Sequence, residues 1–244
     1  AYGVDQYYNT DPAAVFSVDV DIATDKYDVN PSSRNLTAGA TTFVFTPVTA
    51  ATHTVKAESD YLRTLPGGTS WYFTPNPVKV WWNKPVKLHL TGEGQNLEPG
   101  KGPYGSNPSP GGKAGSPAAL TAGVTTQTTV YLVDDYYNLV KGTTPLLSVS
   151  SNTPVVEMQF LNDPNIQVRG LAPTPYEKSL IAGVTTFSFV PVTRNQSPGL
   201  SVRVRDNLAA GTSFSTDTVS GIIVNPNTPI ALQLLVPKEG GGGE

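Results

Sequence analysis

Cysteine is absent from the 244 residues. That excludes disulfides, thiolate metal sites and cysteine nucleophiles, and fixes no compartment. Histidine occurs only twice, and Ser/His/Asp catalysis needs one beside a nucleophile. His53 follows a turn at Ala50-Ala51-Thr52, and His89 lies in an expected strand; both read as solvated histidines. No Gly-x-Ser-x-Gly elbow, phosphate loop or His-Glu-x-x-His is present. Charge is scarce as well: 14% of residues, with a net charge of −3. Such a chain has no basic field for nucleic acid or an anionic membrane. No run approaches the roughly 18 apolar residues that cross a bilayer. Position 1 is Ala, followed by Tyr-Gly-Val-Asp, with no leader pattern, so a mature product, a fragment or a cytoplasmic chain is expected. These absences predict a protein that is not an enzyme, with no nucleic-acid partner and no membrane span.

What is abundant is Gly (23) and Pro (22), alongside many β-branched and aromatic residues. The combination suits short strands joined by many turns and argues against long disorder. The chain also repeats itself. Val4-Asp5-Gln6-Tyr7-Tyr8-Asn9 returns as Val133-Asp134-Asp135-Tyr136-Tyr137-Asn138, an offset of 129. The stretch 36–49, running Leu-Thr-Ala-Gly-Ala-Thr-Thr-Phe-Val-Phe-Thr-Pro-Val-Thr, returns at 180–193, an offset of 144. Gly68-Thr69-Ser70-Trp71 matches Gly211-Thr212-Ser213-Phe214, and 83–90 (Asn-Lys-Pro-Val-Lys-Leu-His-Leu) matches 227–234 (Asn-Thr-Pro-Ile-Ala-Leu-Gln-Leu). The change of offset places about 15 extra residues of the second copy between Asn138 and Leu180. Between the copies, 94–119 holds seven Gly and five Pro without apolar periodicity, the composition of a linker.

Period-2 alternation predicts strands at 15–20, 41–46, 54–57, 70–73, 78–82 and 86–90 in the first copy. In the second it predicts strands at 126–133, 146–150, 185–191, 200–205 and 220–224. In Ser201-Val202-Arg203-Val204-Arg205 the valines take one face and the arginines the other, as in a sheet with one wet face. The expected fold class is all-β: two tandem immunoglobulin-like β-sandwich domains joined by a Gly/Pro-rich linker. The expected boundaries are 1–93 for a sandwich lacking its first strand or strands, 94–118 for the linker, 119–237 for a complete sandwich, and 238–244 for a Gly-rich tail or the start of another linker.

The second copy opens with 120–132, ahead of its Val-Asp-Asp-Tyr-Tyr-Asn; the first has only Ala1-Tyr2-Gly3 there. A sandwich short of its first strand exposes unpaired backbone. Either the chain is a fragment of a longer array, or a strand from another subunit fills the gap. The candidate donor is 229–236, although its counterpart at 86–90 suggests a strand within its own chain.

The string Leu120-Thr121-Ala122-Gly123-Val124-Thr125-Thr126, a strand ending Val133-Asp134-Asp135-Tyr136-Tyr137-Asn138-Leu139-Val140, then Phe187-Ser188-Phe189 and Val202-Arg203-Val204-Arg205-Asp206, resembles tandem bacterial immunoglobulin-like (Big/invasin-type) repeats of large cell-surface or filament proteins. Phe43-Val44-Phe45 and Val55-Lys56-Ala57-Glu58 fit in the first copy. A departure is Tyr before Asn, where the family often has Gly. The resemblance implies an extracellular or cell-surface stalk, adhesin, surface-layer or filament role.

Three residue groups are candidate sites. Asp19, Asp21 and Asp25 could gather oxygen ligands for calcium, or form a charged, solvated face. Trp81 and Trp82, with Tyr72 and Phe73, read as local core packing, a subunit contact or a carbohydrate-stacking platform. Asn35 and Asn195 head glycosylation sequons. The leading functional expectation is an extracellular structural repeat of a surface stalk or filament that self-associates through the incomplete first domain. The alternatives are an adhesin or carbohydrate-binding module using exposed aromatics, and an accessory region of a larger secreted enzyme.

Overall fold

A computed structural model of the chain describes residues 1–63, 77–104, 111–142, 154–168, 176–207 and 214–232. Apart from one helical turn, α1 (Asp60–Arg63), its regular structure is all β. In chain order the strands are β1 (Ser17–Ile22), β2 (Arg34–Asn35), β3 (Thr52–His53), β4 (Val55–Glu58), β5 (Val78–Lys79), β6 (Lys87–Thr91), β7 (Asn96–Leu97) and β8 (Lys113–Ala114). There follow β9 (Leu120–Thr121), β10 (Thr126–Val133), β11 (Val155–Leu161), β12 (Tyr176–Ser179), β13 (Val184–Phe189), β14 (Asn195–Asp206) and β15 (Asp217–Asn225). The strands expected at 70–73 and 146–150 lie outside the described residues.

Two sheets enclose the main core. One runs β13-β10-β6 and the other β12-β11-β14-β15-β9. Leu88, Leu90, Val130, Leu132, Phe187 and Phe189 point in from the first; Val156, Met158, Val202, Val204, Val219 and Val224 point in from the second. Two sheets across one apolar core are consistent with a β-sandwich. Each such side chain, taken out of water, stabilises the fold by about 1.5–3 kcal/mol.

The first half has a smaller core of Ala14, Val18, Val20 and Leu36, flanked by partly buried Phe16, Phe43, Val55 and Ala57. Its sheet runs β2-β1-β4. Asp19 stands opposite Glu58 and Val20 opposite Ala57. In the second half, Glu157 stands opposite Arg205 and Met158 opposite Val204. The order β2-β1-β4 thus parallels β12-β11-β14, and in both the alternation turns small or branched apolar side chains inward.

The two halves differ on the opposite sheet. Phe187 and Phe189 lie on β13, which pairs with β10 from Thr126↔Phe189 to Tyr131↔Val184. Their counterparts Phe43 and Phe45 lie on a stretch expected to be a strand. There the ladder stops at Tyr2↔Ala40 and the Ala1–Thr41 hydrogen bonds, and 42–46 is not strand.

The strand expected at 86–90 joins the later sheet. β6 runs antiparallel to β10, with Leu90 opposite Val130 and Leu88 opposite Leu132. All five of its residues are buried. The following segment does not have the extended geometry of a loose connector. β7 and β8 pair as a hairpin, with Asn96 opposite Ala114 and Leu97 opposite Lys113. Its glycines serve tight turns and close approach rather than looseness. Gly112 has φ +69°, and a Cβ there would collide with the Tyr137 ring. Outside 105–110, 94–118 is a folded hairpin laid over β6. The chain then enters the larger sheet through β9, which runs parallel to β15.

Candidate functional site

The repeated Val-Asp-x-Tyr-Tyr-Asn motif builds the same loop twice. In the first, Asp5 Oδ1 accepts hydrogen bonds from the amides of Tyr7 (2.8 Å) and Asn9 (2.9 Å), and Oδ2 from Asn9 Nδ2 (3.0 Å). In the second, Asp134 Oδ1 accepts from the amides of Tyr136 and Asn138 (both 2.9 Å), and Oδ2 from Asn138 Nδ2 (3.1 Å). A carboxylate bonded to amides two and four residues on is an Asx-type turn. The residue before Asn is left-handed in both: Tyr8 at φ 64° and Tyr137 at φ 63°. This left-handed conformation is one that Gly adopts without strain.

The environments of the two loops diverge. Asn138 is buried and its amide spans the two halves. Its Oδ1 accepts from Ala50 N (2.7 Å), and its Nδ2 donates to Val48 O (2.9 Å). Asp134 Oδ2 also accepts from Asn83 N (2.9 Å), which ties down the connection into β6. The hairpin closes the seam from the side. Glu98 accepts from Lys26 Nζ (2.7 Å), from the Tyr27 hydroxyl and from Lys101 Nζ (3.0 Å). Those hydrogen bonds, led by Lys26, then Tyr27 and Lys101, hold the Glu98 carboxyl down at about 2. Gly100 N donates to Tyr136 O (2.8 Å).

Beneath the hairpin lies a buried polar cluster. Lys113 Nζ is 2.9 Å and His89 Nδ1 3.3 Å from Asp217 Oδ2, which also accepts from Leu90 N (2.8 Å). Burial pushes the Asp217 carboxyl up. The His89 hydrogen bond, the Lys113 charge and the Leu90 amide outweigh it and hold the carboxyl below the usual range. His89 Nε2 meets Gly112 O at 3.0 Å rather than a nucleophile, so the cluster fastens the hairpin to β6 and β15. Tyr137 packs on His89 at 5.0 Å between ring centroids, and Lys87 Nζ sits 3.6 Å from the Tyr137 ring centroid. Burial raises the Tyr137 hydroxyl to about 12.

The sequence candidates fall elsewhere. Asp19 is exposed, accepting from the Ser33 hydroxyl, and Asp21 is half-buried opposite Lys56. Asp25 turns inward instead. Its carboxylate accepts from the amides of Val48 (2.8 Å) and Thr49 (3.0 Å) and from Thr49 Oγ1 (2.8 Å). Asp163 does the same more simply for Thr193 N (3.3 Å). Among the described residues no group of three His, Cys, Asp or Glu is placed to hold a metal ion. Asp25 therefore fixes the turn that receives Asn138.

Trp81 and Trp82 are both half-buried and meet edge to face at 5.7 Å. Lys79 Nζ sits 3.7 Å from the Trp81 ring centroid, and Trp82 packs against the main core with Nε1 donating to Gly142 O (3.4 Å). Tyr72 and Phe73 lie outside the described residues. Asn35 is exposed on β2, whereas Asn195 Nδ2 donates to Asn162 O (2.9 Å).

Both histidines, expected to be solvated, are buried. His53 Nε2 contacts Thr49 O (2.6 Å), and its Nδ1 contacts Thr24 Oγ1 (3.1 Å). His53 is held by Thr49, four residues away, and by Thr24, 29 residues away, whereas the partners of His89 are the distant Gly112 and Asp217, of which local sequence gives no warning. Glu98, Asp134 and Asn138 were not singled out as site residues. The signal that could have found two of them is the motif repeat itself, since an Asp and an Asn kept four apart in both copies serve one loop.

Comparison with protein-family models and with curated proteins finds no match to this chain. Among the described residues no helix is long and apolar enough to cross a membrane.

Proposed function

We propose that this chain is a non-catalytic structural repeat of an extracellular stalk or filament, built from two immunoglobulin-like modules in tandem. The seam between the halves carries the reading. Asn138 satisfies two backbone groups of the other half, Glu98 clasps Lys26 and Tyr27 beside it, and β6 passes from one half into the core of the other. Buried, mutually satisfied polar contacts fix an orientation, and a stalk needs fixed orientations from module to module. The shared register of the two sheets and the shared loop motif support repetition of one module type. The carbohydrate reading has less support, because Lys79 occupies a face of Trp81 and Trp82 contributes to the core.

The test is accessibility on the cells that make the protein. Antibodies raised against the purified chain should label intact cells along surface projections under immunogold electron microscopy. Labelling that emerges only after the cells are broken open would sink the proposal.

A further inference from the structure

The seam has an unused counterpart at each end of the described chain. Within the chain, the segment Asn83-Lys84-Pro85-Val86 leads into β6, with Asn83 Oδ1 accepting from Lys84 N (2.8 Å). The matching segment Asn227-Thr228-Pro229-Ile230 has the same local cap, Asn227 Oδ1 accepting from Thr228 N (2.7 Å). The fates of the two segments differ. Leu88 is 2% exposed, whereas Ile230 and Leu232 are 97% and 103% exposed. At the other end, Tyr2 pairs with Ala40 just as Tyr131 pairs with Val184. Val133 is fully buried by β6, whereas Val4 is 46% and Tyr8 79% exposed.

We propose that a second copy of this chain docks head to tail on the first, its 1–9 edge taking up the strand at 229–232. This inference rests on the stalk reading and names its partner. The seam supplies the register. Val86 N donates to Val133 O (3.0 Å), Lys87 stands opposite Val133 and Leu88 opposite Leu132. Transferred through the repeat, Ile230 N donates to Val4 O, Ala231 stands opposite Val4 and Leu232 opposite Gly3. Asn227 N reaches Asp5 as Asn83 N reaches Asp134. Asn9 then meets Val192 O and Arg194 N as Asn138 meets Val48 O and Ala50 N.

Both contacts form in one docking pose because the same ladder sets their spacing in each half. Val80 N donates to Ala51 O beside the 48–50 turn, and Val224 pairs with Asn195 beside the 192–194 turn. The pairing is heterologous, so each docked copy offers a fresh strand, and growth continues past the dimer until the rotation between copies closes a ring or, where it does not close, without limit.

Sedimentation of the full chain tests it, from a few micromolar to about 1 mM, a range that spans weak association. Wild type should grow past dimers as concentration rises. A donor variant, Ile230→Asp with Leu232→Asp, should stay monomeric, and so should the acceptor variant Val4→Asp. Mixed together they should give one-to-one dimers that grow no further, since each retains the half the other lacks. Asn9→Ala should weaken wild-type growth about tenfold, and it stands in for Val4→Asp if that variant melts below the wild type. A wild type that remains monomeric throughout overturns the proposal, as does assembly by either Asp variant alone or a mixture that fails to dimerise. Surface labelling with a monomeric chain defeats this proposal alone; assembly without surface labelling defeats the stalk reading alone.

Discussion

The loop at Asp5 and the loop at Asp134 have the same internal hydrogen bonds and the same left-handed tyrosine, yet one is open to solvent and the other is buried. The difference lies outside the loops. β6, the β7–β8 hairpin and the 48–50 turn converge on Asp134, Tyr137 and Asn138, and among the described residues nothing comparable covers Asp5, Tyr8 and Asn9. Local sequence therefore shapes the loop, while its energetic weight comes from what lands on it.

Substitutions in matched pairs should separate the two contributions. The largest contrast is expected for Leu88→Ala against Leu232→Ala. Leu88 is 2% exposed, so its truncation should cost about 3 kcal/mol. Leu232→Ala should leave the unfolding midpoint of the dilute chain in denaturant unmoved, and a comparable loss there would break the comparison. Next comes Asn138→Ala, which strips partners from the buried seam and should cost about 2 kcal/mol. Asn9→Ala in dilute solution should change stability by less than about 0.5 kcal/mol. Equal effects of the two Asn substitutions on thermal melting would show that the loop itself, rather than the seam, sets the cost.

The smallest effect is electrostatic. The Glu98 carboxyl lies below its ordinary value of 4.5, at about 2, so it binds its proton less readily folded than unfolded. Its contribution is then complete above pH 4.5 and fades as pH falls through about 2. Tyr27 fluorescence and melting temperature should track that loss, and Glu98→Gln should flatten the glutamate's share of the profile. A profile unchanged in Glu98→Gln would remove the clasp from the seam.

Much of the β architecture was legible because alternation is a local signal. Residues 126–133 read as a strand, and β10 is Thr126–Val133; the valines of 200–205 point inward as read. β11 is not among the strands the alternation predicts, although Val156, Met158 and Phe160 alternate with Glu157, Gln159 and Leu161. At 94–118 the structure holds the β7–β8 hairpin where the composition reads as a linker. Gly and Pro content reports turn capacity, and whether the turns are tethered depends on His89, Asp217 and Tyr137, which are far away in sequence. Likewise, Asp25 read as a ligand candidate because neighbouring carboxylates suggest a cation, whereas the amides of Val48 and Thr49 take its oxygens.

The route of the chain through β6 also decides how a pull would be borne. Tension on the first half enters the second at Lys87 and leaves along β15, and β9 runs parallel to β15. β6 and β15 belong to different sheets, so such a pull would cross the apolar core between them as well as the ladders that tie β6 to β10 and β15 to β9. In the proposed stalk, the seam would then be the place where force passes from the first half into the sandwich, through β6 and the core it enters.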